Sequence, residues 1–140
     1  MDLDDLIRDG HLQRIKPSTE LAEKEFSEAD YDMGSARRAL EEKDYKWATV
    51  KAYFAVFHSA KGILFLRGYR EKAHFAVAEV LDNVCDDGKL ENRYVADFKA
   101  ALSARQGADY RYDYSERTAT EIVKLAEEFL ERMEKLRKKL

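Results

Sequence analysis

WATVKAYFAVFHSAKGILFLRG, residues 47–68, carries the densest apolar content in the chain. It holds no proline, and roughly 22 residues at about 1.5 Å each make a helix about 32 Å long. A helix that is apolar nearly all round is a central one. Steps of about 100° per residue divide it into two sides. Val50, Tyr53, Val56, Phe57, Ala60, Ile63 and Leu64 share one broad face, which reads as core. Trp47, Lys51, Phe54, His58, Lys61 and Phe65 form the opposite stripe. That stripe sets rings that favour burial among lysines that resist it. A partner surface, a ligand, or lysine stems lying across the rings would resolve the conflict. Gly68 supplies the left-handed residue that ends a helix.

Outward from this helix the chain keeps a helical rhythm. Residues 1–10 suit a short helix with Leu3, Leu6 and Ile7 on one side and Gly10 as its stop, and HLQRIKPS reads as a connector. Pro17 and Ser18 suit the first positions of a new helix. From there Ala22, Phe26, Ala29, Met33, Ala36 and Leu40 recur at alternating steps of four and three. The break comes near Lys43 and Asp44, where Asp44 can cap the central helix. After Gly68, YREKA reads as a short linker. His74–Val84 follows, with Phe75, Val77, Ala78, Leu81 and Val84 at helical spacing. Asp86-Asp87-Gly88 is a turn. Leu90, Tyr94, Val95, Phe98, Ala101 and Leu102 mark a helix expected to end near Gly107. Ser115 reads as an N-cap, and Thr118 with Glu121 offers an alternative capping box further on. The last helix carries Ala119, Ile122, Ala126, Phe129, Met133, Leu136 and Leu140 on one stripe. Its final turn is cationic, which suits the negative end of the helix dipole.

Four substantial helices joined by short connections predict an all-α, antiparallel up-and-down bundle of four to five helices. We expect a single domain over residues 1–140, with 1–16 as a short N-terminal extension. One proline and six glycines leave few breakers and argue against a many-turned β-fold. Lys+Arg 25 against Asp+Glu 28 gives a net charge of −3, which does not advertise bulk nucleic-acid binding. Cys85 is the single cysteine, so neither an internal disulfide nor a cysteine-rich zinc site follows. Its helical context reads as an inert thiol. The acidic start MDLDDLIRDG does not resemble a signal peptide, and no apolar run approaches the roughly 20 residues of a membrane span. The expectation is a soluble, cytoplasmic protein that does not engage a membrane.

No phosphate-cradling glycine loop and no HExxH pattern appears. His11, His58 and His74 are scattered, so no metal site is expected from them, and no cofactor is implied. His58 reads as a hydrogen-bonded interface histidine, and Lys51 and Lys61 as solvated edges of the stripe. The segment RQGADYRYDY, residues 105–114, is the densest in polar chemistry. One reading pairs Asp109 with an arginine and packs the tyrosine rings on the bundle. The other is a cluster that holds a phosphodiester, with arginine as the fork and tyrosines stacking bases or offering a hydroxyl.

Two motifs bring a family into view. AYFAVFHSAKGIL, residues 52–64, followed by Gly68 and His74, resembles the aromatic–aromatic–alanine and Phe-His run of HEPN domains. Arg105, Asp109 and Tyr110 resemble the arginine and Asp-Tyr of a small HEPN subgroup. The resemblance spans about Glu20 to Leu136. It implies a helical bundle, a homodimer, and a place in toxin–antitoxin or nucleotidyltransferase-linked systems acting on RNA or nucleotides. In many members it also implies metal-independent RNA cleavage by an arginine followed, four to six residues later, by a histidine. Arg105 fits that arginine, whereas the histidine window holds Tyr110, Arg111 and Tyr112. Tyrosine titrates near 10 unless shifted, so proton transfer at neutral pH lacks its usual group. In members paired with a minimal nucleotidyltransferase a tyrosine accepts the nucleotide, and Tyr112 occupies the matching place.

The resemblance thus assigns catalytic positions to Arg105, Tyr110 and Tyr112. Arg105, Asp109, Arg111, His58 and Lys61 stand as binding residues. Partners expected are a second copy, RNA or a nucleotide, and a minimal nucleotidyltransferase. Two alternatives compete: an active metal-independent ribonuclease toxin, and a non-catalytic adaptor whose central stripe binds another protein's helix.

Overall fold

Asp44 opens the central helix, α3 (Tyr45–Arg67), by accepting from the backbone N–H of Trp47. Gly68 closes it at φ 85°, as a left-handed C-cap does. The computed structural model describes residues 2–140; Met1, the first residue of the expected 1–10 segment, lies outside them. The other helices are α1 (Leu3–Arg8), α2 (Thr19–Glu41), α4 (His74–Asp86), α5 (Arg93–Tyr110) and α6 (Glu116–Arg137). Two short strands, β1 (Leu12–Arg14) and β2 (Tyr69–Glu71), complete the order. The fold is an all-α bundle. α3 packs against α2, α4, α5, α6 and β2, so it is central because every long neighbour needs its surface. No helix among the described residues is long and apolar enough to cross a membrane.

The core follows the predicted spacing. Tyr53, Val56, Ile63, Phe129 and Met133 are fully buried and Phe57 nearly so. Ser18 caps α2 through its Oγ to Leu21 N–H, and Ser115 caps α6 the same way to Thr118 N–H. Ala22, Phe26, Ala29, Met33 and Ala36 of α2 are all buried. Gly62 of α3 lies tight against α2: a Cβ there would stand 2.5 Å from the Phe26 ring.

Several boundaries differ from the reading of the sequence. The connector and the linker are strands, paired antiparallel with Leu12 opposite Glu71 and Arg14 opposite Tyr69. Three-residue strands are too short to show a period, and their pairing is fixed by the turn out of α3. Leu3, Leu6 and Leu12 are buried, so the N-terminal segment is part of the core. Phe75 does not join the buried face of α4 and is 45% exposed. Leu140 lies past the end of α6 and is exposed.

The largest difference is α5, which runs through Gly107 to Tyr110. Arg105 and Asp109 are paired one turn apart across the glycine, which favours continuing the helix. The end is made by Tyr112 at φ 54°, with the N–H groups of Arg111 and Asp113 both donating to the Gly107 carbonyl.

The mixed stripe of α3 finds its partners within the chain. Phe65 is buried. His58 Nδ1 lies 2.6 Å from Glu25 of α2, and Lys61 pairs with Glu25 at 3.6 Å and Glu71 at 3.5 Å. The Lys61 ammonium also lies 5.5 Å from the centre of the Phe65 ring. Carboxylates of α2 and β2 therefore resolve the conflict, and Lys61 is largely buried rather than solvated. Trp47 is the stripe's exposed member.

Candidate functional site: the Arg105 cleft

A cleft of about 310 Å³ opens between the start of α4 and the last turns of α5, lined by His74, Phe75, Leu102, Arg105, Gln106, Asp109 and Tyr110. Behind Arg105 lie two rings of α3. The Arg105 guanidinium carbon lies 4.8 Å from the centre of the Phe54 ring and 5.3 Å from that of Tyr53. Both distances fall within the range of cation–π attraction. Asp109 accepts from Arg105 Nε at 3.1 Å. Arginine has five N–H donors, so the contact with Asp109 orients the fork without consuming it. Arg105 is thus paired with Asp109, as the first reading has it, while lining a cleft; the rings of Tyr110 and Tyr112 do not pack on the bundle and are exposed.

His74 is the first residue of α4; the sequence reading named it in the run that carries the family resemblance but gave it no place in a site. The Tyr53 hydroxyl stands 2.6 Å from its Nδ1, and its ring stacks on Phe57 with centres 4.3 Å apart. Burial, with the charge of Arg105 behind it, holds the imidazole below the usual histidine range. Burial likewise pushes the Tyr53 hydroxyl well above its usual value, against the opposing pull of Arg105. We assign the tyrosine as donor to Nδ1, which puts the proton of the neutral imidazole on Nε2. Only the packing of α4 on the aromatic face of α3 brings this histidine to Arg105. No local motif announces that packing.

The predicted site residues divide. Arg105, Asp109 and Tyr110 share the cleft. Arg111 turns back to donate to the Ser103 carbonyl at 3.3 Å, and so fastens the end of α5. Tyr112 is 74% exposed, with its ring set edge-on to Tyr114 at 6.3 Å, and it does not line the cleft. His58 and Lys61 belong to the carboxylate network between α2, α3 and β2. Cys85 is partly buried, and burial followed by Asp82 and Asp86 pushes its thiol up, as suits an inert cysteine.

The site combines a permanent cation, a neutral imidazole with a donor, an exposed tyrosine and apolar walls from Phe75 and Leu102. Such a set suits an anionic group attached to something flat. The comparisons agree with the architecture. A family model described as HEPN domain matches residues 22–136. A Methanocaldococcus jannaschii protein named "Putative toxin MJ0605" is 31% identical over 114 residues, spanning 80% of this chain and 85% of its own. The crystal structure of the Thermus thermophilus protein TT1696 superposes with a TM-score of 0.69 at 22% identity, covering 82% of this chain and 97% of that one; this likeness is one of fold. With the family model spanning every helix that builds the cleft, this chain belongs to the HEPN domain family.

Proposed function

We propose that the Arg105 cleft binds a phosphodiester of RNA or a nucleotide, and that the protein acts as a homodimer in a toxin-like system. The observation that carries this reading is the convergence of Arg105, His74 and Tyr110 on one cleft. Arginine brings a charge that does not titrate and donors that match phosphate geometry. Tyr110, 77% exposed, offers a face on which a base can stack. The name of the Methanocaldococcus relative contains the word toxin, and the same role is proposed here. A minimal nucleotidyltransferase is the proposed partner, with the exposed Tyr112 as nucleotide acceptor.

Ribonuclease activity is the second reading, and His74 is the observation that favours it. An imidazole beside Arg105 supplies from α4 the group that the window after Arg105 lacks. The adaptor reading has less support, because His58, Lys61 and Phe65 of the α3 stripe are engaged within the chain. Incubating the protein with total RNA, with and without a metal chelator, separates binding from cleavage. Retention of RNA without fragments supports the first reading, and fragments that persist with chelator support the second. If neither binding nor cleavage occurs and nucleotides do not bind, the proposal fails.

A further inference from the structure

A second group of side chains meets on the α2–α3 face, and none of them lines the Arg105 cleft. Glu28 and Asp32 stand one turn apart on α2, so their carboxylates share a side of the helix. His58 of α3 faces them, and one ligand atom from each lies within 4.8 Å of the others. His58 Nε2 is 3.7 Å from Asp32 Oδ2. Behind the ring, Glu25 lies 2.6 Å from Nδ1. Lys61 stands by the other oxygen of Glu25 at 3.6 Å, so that carboxylate is occupied on both sides.

We propose that Glu28, Asp32 and His58 form a site for a divalent transition-metal ion of the zinc class, which would fasten α2 to α3. A carboxylate that accepts from Nδ1–H leaves Nε2 as a lone pair, which is the tautomer a ligating histidine needs. Here that lone pair and two carboxylates converge on one point. A proton on Nε2 is the rival occupant. At 3.7 Å it would serve Asp32 poorly, since a sound N–H···O bond spans about 2.7–3.2 Å, and it would leave Glu28 without a partner. A zinc ion takes imidazole nitrogen and carboxylate oxygen at about 2.0–2.2 Å, a spacing that small rotamer changes in Glu28 and Asp32 can reach. One imidazole with two carboxylates suits zinc, cobalt or nickel better than magnesium or calcium, which favour oxygen throughout. Three protein ligands leave the fourth position to water. The expectation of no metal rested on the three histidines, and this set uses only one of them.

Calorimetric titration of the chelator-treated protein with zinc chloride at pH 7.5 tests the site. One ion should bind per chain and raise the thermal midpoint. His58→Gln and Asp32→Asn should each weaken binding about 100-fold or more, and Glu25→Gln by about 10–100-fold, as loss of an outer-shell partner does. His11→Gln should bind as the parent does. Cobalt should broaden the His58 ring resonances in the parent protein, a readout that does not depend on any variant folding. Absence of saturable binding, or unchanged affinity in both His58→Gln and Asp32→Asn, would overturn the site and leave the proton as the occupant.

Discussion

The Tyr53 hydroxyl and His74 Nδ1 are 2.6 Å apart, and this one bond ties the middle of the central helix to the first residue of α4. Tyr53 is fully buried, so its ring is core while its oxygen faces the cleft wall. The pair explains how an apolar helix contributes to a polar site. Arg105 lies over the same tyrosine ring, so the three residues form one connected unit.

Tyr53→Phe should cost about 1–3 kcal/mol, because it leaves a partly buried ring nitrogen without its partner. Urea unfolding measures this. The pH dependence has a definite sign. His74 is held below its ordinary value in the folded protein, so the unfolded chain takes up the proton first as pH falls. Stability from this group is whole above about pH 6.5, the ordinary histidine value, and declines as pH drops from there toward the lower folded value. His74→Gln should remove that part of the slope, and a parent and variant with identical profiles between pH 7 and 5 would contradict it.

Phe57→Ala should cost about 3–5 kcal/mol. The ring is 5% exposed and is stacked on His74, so the site has little freedom to collapse. A loss below about 1 kcal/mol in chemical denaturation would mean that α4 moves in to refill the space.

The helices and most of their caps were legible because their signals are local. Asp44, Gly68, Ser18 and Ser115 act within one turn of themselves, and the stripes of α2 and α6 repeat at the helical period. The strands β1 and β2 were not legible, since residues 12–14 and 69–71 depend on each other across the chain. Gly107 misled because a glycine signals a stop only when nothing bridges it, and the Arg105–Asp109 pair does. In the site, Arg105, Asp109 and Tyr110 were legible as neighbours in sequence. His74 was not, because α4 carries it to the cleft by packing, and the partners of His58 and Lys61 lie on α2 and β2.

Gly62→Ala should destabilise by about 1–3 kcal/mol through overpacking. Helix propensity alone favours alanine by about 1 kcal/mol, so the two effects oppose each other. Contact decides the balance: the added carbon would meet the Phe26 ring at 2.5 Å. That ring is itself covered by the Arg137 guanidinium at 4.1 Å, which limits how far it can swing. A thermal midpoint at or above that of the parent would show that α2 slides away freely. Pairing Gly62→Ala with Phe26→Leu should recover part of the loss, since the smaller side chain makes room.

Arg105→Ala is the decisive change for the proposed function. It removes the one permanent cation lining the cleft among the described residues and spares the buried core of α5, where Phe98 and Ala101 lie. Fluorescence anisotropy with a short single-stranded RNA, and the same with a nucleotide, should show a loss of about 1.5–3 kcal/mol, the worth of a hydrogen bond to a charged group. Light scattering should give about twice the chain mass of 16.3 kDa for parent and variant alike, with unchanged helical content. The His74 resonance supplies a separate check on placement. The charge of Arg105 helps hold that ring neutral, so its titration should move up in the variant, whatever happens to binding. Tyr110→Ala should weaken RNA binding while Tyr112→Ala leaves it near the parent value, because Tyr110 lines the cleft and Tyr112 does not. With a partner transferase present the order should reverse, and mass spectrometry should find the added nucleotide on Tyr112. An Arg105→Ala protein that binds RNA as the parent does, with the His74 titration shifted as expected, would show that the cleft is built as described and that phosphate is held elsewhere.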